Sequence, residues 1–133
     1  MSPRPRIYKK AYAFELLAIA KGDLESARLL ATHSGGRLEN IAYLAHQAVE
    51  KALKALLCYL GQPVPFTHDV AVLRALVPSS HQPAPGESLE SLTEFALMRR
   101  YEENPEILSI ADFQIVIQET EVFMNEISLI IRD

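Results

Sequence analysis

The chain has a single cysteine, Cys58, and no hydrophobic run long enough to cross a membrane. One cysteine excludes an internal disulfide, and no cysteine pair exists for a zinc knuckle or a redox motif. A spanning helix needs about 20 apolar residues, whereas the basic start "MSPRPRIYKK" leads into Glu15 and Lys21. We therefore expect a cytoplasmic protein without membrane contact, in which Cys58 is a reduced thiol without a functional role.

An excess of positive charge is also missing. The 133 residues include 13 basic and 17 acidic ones, a net charge of −4, which argues against a broad nonspecific grip on nucleic acid. The charge is uneven, since residues 1–54 hold nine basic and five acidic residues and residues 55–133 hold four and twelve. In a helical bundle these halves interleave, so we favour a mixed surface over a dipolar docking face.

Strand patterns and internal repeats are absent, and the periodicity of the chain is helical. A chain of this size with 49% hydrophobic residues is expected to fold as one domain, residues 1–133. The residues from Val77 to Ser88, rich in proline and serine, predict a surface loop. We predict an all-α fold, an up-and-down bundle of four long helices and one short one. The helices are expected at about Tyr8–Thr32, Glu39–Leu60 (ended by Gly61 and Pro63), Asp69–Leu76 (N-cap Thr67), after Ser88, and Ala111–Arg132 (opened by the capping box "SIAD").

The second predicted helix is apolar around most of its circumference, and His46 lies on its broad apolar side. Only a narrow polar stripe remains, formed by Gln47, Glu50, Lys51, Lys54 and Cys58. Two interpretations carry equal weight. Glu50 and Lys54 form an ordinary exposed pair four residues apart, or the stripe lines a groove where water and partners balance its charges.

The last predicted helix has a broad apolar face and a thin second stripe. Ile115, Val122 and Leu129 in that stripe, which also includes Ala111, are seven residues apart, as in a coiled-coil seam. Together the two-sided helices offer more apolar surface than one small bundle covers, so we expect a homodimer. The broad face is formed by Phe113, Val116, Ile117, Thr120, Phe123, Met124, Ile127 and Ile131.

Four blocks stand out along the sequence: "DLESARLL" (Asp23 to Leu30), "QAVEKALKALL" (Gln47 to Leu57), "THDVAVL" (Thr67 to Leu73) and "RRY" (Arg99 to Tyr101). In their order and spacing these blocks resemble the HEPN domains, the higher-eukaryote-and-prokaryote nucleotide-binding domains. The resemblance implies an all-α bundle, frequent homodimerisation and a role beside a small nucleotidyltransferase in a toxin–antitoxin-like pair of genes.

Some family members are metal-independent endoribonucleases that carry Arg, four to six residues and then His near the last helix. Here no histidine follows Arg99 and Arg100. Two matches to the spacing occur elsewhere, from Arg28 to His33 and from Arg74 to His81, but neither lies at the family's position. A further departure is that Glu102 follows Tyr101 where the resemblance leads us to expect proline.

The candidate binding residues form three groups. Lys51 and Lys54 lie on the polar stripe. His68 and Asp69 begin the short helix, where Asp69 complements the helix dipole and His68 is structural, or the two form an acid–base pair facing Arg100. Arg99, Arg100 and Tyr101 end the fourth predicted helix, where arginine donors suit a phosphate. We expect Arg100 and Tyr101 to lie close to Lys51 and Lys54 and to form a positive patch on an acidic protein. No triad, phosphate-binding glycine loop or metal-ligand cluster is evident in the sequence, so neither a metal nor a cofactor is predicted.

Three functions remain open. The first is a HEPN dimer that pairs with a nucleotidyltransferase-like protein and binds a nucleotide, RNA or another anion near Arg100. The second is a degenerate HEPN ribonuclease in which Arg99 or Arg100 acts with His68. The third is a purely structural dimerisation bundle. The missing histidine ranks the first above the second and makes enzymatic activity the weaker expectation.

Overall fold

The computed structural model describes residues 4–32, 38–83 and 110–132. Every regular element among them is helical, as predicted: three long α-helices, a short one and a 3-10 turn. The helices are α1 (Tyr12–Thr32), α2 (Leu38–Tyr59), α3 (Val70–Leu76) and α4 (Ile110–Ile130), and the 3-10 turn is Ser79–His81. The helix predicted after Ser88 lies outside the described residues, and so does Ser109, the first residue of the predicted capping box "SIAD".

Helix α2 is the centre of the bundle. It packs against α1, α3 and α4, and α1 also packs against α4. The buried side of α1 carries alanine at Ala13, Ala20 and Ala27, spaced seven apart, and α2 presents further alanines. Small side chains let helix axes approach closely, so these alanines place α1 tightly against α2. The two-sided pattern of α2 is thus confirmed by its neighbours.

The predicted core of α2 is largely confirmed. Val49, Leu53 and Leu56 are fully buried, whereas Leu60, just beyond the helix, is half-buried. Cys58 was assigned to the polar stripe, and this is wrong, because the residue is 1% exposed and its thiol donates to the Lys9 carbonyl at 3.2 Å. Burial raises the pKa of this thiol.

The C-terminal end of α2 and the N-terminal end of α3 are each fixed by one residue. Gly61, at φ 71°, ends α2 as predicted, and its amide bonds to Cys58 O while Gln62 bonds to Leu57 O. The cap prediction for α3 is wrong: Asp69, not Thr67, is the N-cap, because its carboxylate reaches the amides of Ala71 (2.9 Å) and Val72 (3.4 Å). The Thr67 hydroxyl accepts instead from the Asp69 amide.

Residues 4–11 are not helical, since they contain an isolated bridge at Arg6 and a turn at Lys10 and Ala11, so α1 begins later than predicted. Arg6 and Val64 exchange two backbone hydrogen bonds, with N–O distances of 3.1 and 2.8 Å. This bridge holds residues 4–11 against the turn that follows α2. At the far side of the bundle, the Arg28 side chain donates to Glu121 at 2.8 Å and ties α1 to α4. That ion pair raises the pKa of Arg28.

The broad face of α4 is confirmed over its described side chains: Ile117, Thr120, Phe123, Met124, Ile127 and Ile131 are buried and Val116 is half-buried. The second stripe has no cover among the described residues, since Ile115, Val122 and Leu129 are 55%, 52% and 60% exposed. No described helix is long and apolar enough to cross a membrane.

Candidate functional site

A cavity of about 260 Å³ opens where the start of the chain, helix α2 and the turn after α2 meet. Three aromatic side chains line it: Tyr8 and Tyr12 from the start of the chain, and Phe66 from the turn. Four ionisable side chains complete the lining, and they are Glu50, Lys51, Lys54 and His68. Leu16, Val64, Pro65 and Thr67 supply the rest of the wall. The structure therefore brings Lys51, Lys54 and His68 together, as the sequence analysis proposed.

Glu50 lies at the base of this cavity and is 6% exposed. Its Oε1 atom accepts from Lys54 Nζ at 2.9 Å and lies 2.8 Å from His68 Nδ1. Its Oε2 atom is 3.6 Å from His46 Nε2. The interpretation of Glu50 and Lys54 as an ordinary exposed pair is thus wrong, because the carboxylate is buried and three side chains surround it. Groove lining is the better description of the stripe.

His46 lies one helical turn before Glu50 and is 2% exposed. Neither ring nitrogen has a hydrogen-bond partner among the described residues. Burial lowers the pKa of His46, because the imidazolium loses its hydration; this outweighs the attraction of the nearby Glu50 carboxylate. The sequence correctly placed His46 on the apolar side of α2 but gave no sign of its place behind the cavity.

His68 has the opposite environment, with a side chain that is 76% exposed at the cavity mouth. The predicted pair of His68 with Asp69 is wrong: His68 Nδ1 lies beside Glu50, and the Asp69 carboxylate caps α3. The bond to Nδ1 fixes the ring and leaves Nε2 as the nitrogen available for a proton or a ligand. This arrangement has the geometry of an oriented acid–base group.

The two lysines do not make the cavity strongly positive. Lys51 Nζ lies 2.6 Å from an Asp23 oxygen, and Lys54 Nζ lies 2.9 Å from Glu50. Each ammonium carries three donors, so an ion pair to one carboxylate leaves donors for a ligand. The expected positive patch is therefore close to neutral in the part that the structure describes.

Several predicted residues are not placed here. Arg99, Arg100 and Tyr101 lie outside the described residues. Arg28, the start of one chance ribonuclease match, is bonded to Glu121 and Glu25 rather than placed in the cavity. Within the described ranges, no cluster of three or more His, Cys, Asp and Glu residues is arranged to hold a metal ion.

Sequence reasoning missed the aromatic half of the site. Tyr8 was assigned to the start of a helix, and neither Tyr12 nor Phe66 was singled out. The signal for the two tyrosines is their spacing of four residues beside the basic start of the chain. The ring centres of Tyr8 and Tyr12 are 5.3 Å apart, and Phe66 is 77% exposed at the rim of the cavity.

Comparison with known proteins identifies the family. The family model for the HEPN domain matches residues 13–130, which include α2, α3, α4, all of α1 except Tyr12, and the cavity lining except Tyr8 and Tyr12. No curated protein and no solved structure matches the chain. Because the matched segment covers most of the sequence, the chain belongs to the HEPN domain family.

Proposed function

We propose that this HEPN protein is a cytoplasmic, dimeric module that binds a nucleotide or a similar anionic ligand with a planar ring. The observation that carries the proposal is one cavity in which Tyr8, Tyr12 and Phe66 lie beside Lys51, Lys54 and His68. Aromatic faces stack on bases, and ammonium donors bind phosphate oxygens, so this pairing of groups suits the two ends of a nucleotide.

The size and charge of the cavity define the ligand further. Pockets that enclose drug-sized ligands measure roughly 300–1,000 Å³, so a cavity of about 260 Å³ is too small for a dinucleotide and takes at most one nucleotide unit. Asp23 and Glu50 already balance the charges of Lys51 and Lys54. A ligand with one phosphate therefore fits better than a triphosphate, whose several charges need clustered cations.

Binding is tested by calorimetric titration with AMP, comparing the wild type with Phe66→Ala. Phe66 is 77% exposed, so its truncation should leave stability unchanged and weaken AMP binding by about 1–3 kcal/mol, the value of one stacked base. Ile19→Ala is the matched control, because Ile19 is an exposed apolar residue of α1 that does not line the cavity. Equal AMP affinities for both variants and the wild type contradict the proposed base site. If the wild type does not bind AMP, the purely structural dimerisation bundle becomes the better description.

The dimer has its own support in the α4 stripe of Ile115, Val122 and Leu129, which repeat every seven residues and are exposed among the described parts of the chain. Light scattering at micromolar concentration should give the dimer mass, and Val122→Glu should shift it toward the monomer. Pairing with a small nucleotidyltransferase in a toxin–antitoxin-like system rests on family membership. Coexpression with the product of an adjacent nucleotidyltransferase gene should give a co-eluting complex, and separate elution contradicts the pairing.

An endoribonuclease is the second candidate, and the bond between His68 and Glu50 favours it. A histidine held by a buried carboxylate is suited to take a proton from a ribose hydroxyl, with Arg99 or Arg100 as the candidate cation. Incubation of single-stranded RNA with the wild type and His68→Gln tests this candidate. Cleavage by the wild type that the variant loses supports it, and cleavage that His68→Gln retains assigns the activity elsewhere.

A further inference from the structure

Residues 4–10, "RPRIYKK", form a basic segment before α1, which we name the basic arm. It carries four cations, and the first acidic residue of the chain is Glu15. Arg4, Arg6 and Lys9 are exposed, and within the described residues none of the three has an acidic partner at ion-pair distance. Lys10 differs, since its ammonium lies 4.3 Å from the centre of the Tyr59 ring.

The basic arm is fixed beside the cavity. Its Arg6 backbone exchanges two hydrogen bonds with Val64, and Val64 lines the cavity. Tyr8, two residues after Arg6, lines the same cavity. The exposed cations of the arm therefore flank Tyr8 in the chain, with Arg4 and Arg6 before it and Lys9 after it. The bridge to Val64 holds the backbone of this segment in place.

From this placement we propose that the arm and the cavity form one binding surface for single-stranded nucleic acid. One base enters the cavity, and Arg4, Arg6 and Lys9 contact phosphates of the neighbouring nucleotides. Proteins that bind single strands combine base-stacking aromatics with a cationic track in this way. The inference rests on the proposed nucleotide site and deepens it, because it makes the ligand a strand whose backbone continues over the arm.

The charge distribution favours a strand over a free nucleotide. Inside the cavity the lysines are paired with Asp23 and Glu50. Arg4, Arg6 and Lys9 of the arm have no acidic partner at ion-pair distance among the described residues. Phosphates on the arm gain contacts without breaking an ion pair, and they release counterions from the strand. A mononucleotide in the cavity lacks the additional phosphates that reach the arm.

The test measures two ligands with two variants. Fluorescence anisotropy follows binding of a labelled single-stranded oligoadenylate of about ten nucleotides, and calorimetry follows AMP. The arm variant is Arg4→Gln/Arg6→Gln, which keeps the backbone amide that donates to Val64. Lys21→Gln is the control for lost surface charge, because Lys21 is exposed on α1 and points away from Asp23, two residues later.

We expect the wild type to bind the oligonucleotide more tightly than AMP, and the arm variant to lose roughly three- to tenfold of that affinity while keeping its affinity for AMP. The slope of log affinity against log salt should fall by about 0.7 for each phosphate contact removed. Lys21→Gln should behave as the wild type.

Three results overturn the inference in distinguishable ways. Equal affinity for AMP and the oligonucleotide, or equal losses in the arm variant and Lys21→Gln, refutes the strand surface but leaves the nucleotide site. Displacement of the oligonucleotide by polyglutamate of similar charge, as effective as displacement by unlabelled oligonucleotide, means that the arm is a general anion surface. No binding of either ligand by the wild type refutes the inference and the proposed function together.

Discussion

Replacement of His46 by leucine should remove an acid-sensitive component of the stability of the fold. His46 is 2% exposed, and burial lowers its pKa below the ordinary value of 6.5. The unfolded chain then binds a proton more readily than the folded one, so the stability contribution is present above pH about 6.5 and is lost as the pH falls below it. The loss reaches at most about 1.4 kcal/mol per pH unit, the value of one proton.

The charged groups around His46 act in both directions. Glu50 and Asp69 favour the imidazolium, His68 and Lys54 oppose it, and burial decides the outcome. At neutral pH the leucine variant should be as stable as the wild type or more so, because His46→Leu removes two ring nitrogens that lack partners in the described structure.

Urea denaturation of the wild type and His46→Leu at several pH values between about 5 and 7.5 measures this difference. The wild type should lose stability toward the acid end more steeply than the variant. His68→Gln is the matched control, because it removes an exposed histidine from the same cluster and leaves His46 buried. Parallel pH profiles for the wild type and His46→Leu refute the reasoning.

Two further substitutions test the packing. Leu56→Ala should cost roughly 2–5 kcal/mol in urea denaturation, because Leu56 is fully buried in α2, and a loss under about 1 kcal/mol means that its burial is misassigned. Glu50→Gln should cost about 1–3 kcal/mol at neutral pH, since Lys54 loses its charged partner and His68 its carboxylate acceptor. Unchanged stability in Glu50→Gln shows that solvent replaces these contacts without cost.

The described helices were predictable, apart from the start of α1, because their patterns are encoded locally. The apolar side of α2 and the broad face of α4 follow from spacing alone, and Gly61 ends α2 by a rule that involves only adjacent residues. The capping choice shows the limit of such rules, since Thr67 and Asp69 are both good caps by type. Asp69 is the N-cap because its carboxylate accepts hydrogen bonds from the second and third amides of α3.

The candidate site was predictable only where helical spacing defines it. Lys51 and Lys54 share a stripe with Glu50, and that stripe does line a cavity. The burial of Glu50 depends on the turn after α2 folding over the helix, and a wheel of one helix contains no information about such long-range contacts. The same reason explains Tyr8, whose place at the cavity depends on the backbone bridge between Arg6 and Val64.

In the proposed binding surface, the separation of charge between cavity and arm gives the two halves different tasks. The lysines of the cavity are already paired, so we expect them to add little long-range attraction, whereas the rings and donors are expected to select the shape of one nucleotide unit. Arg4, Arg6 and Lys9 have no acidic partner among the described residues, so we expect them to attract any phosphate chain, with an attraction that salt weakens strongly. Binding of AMP should therefore change little with ionic strength, whereas binding of a strand should fall steeply.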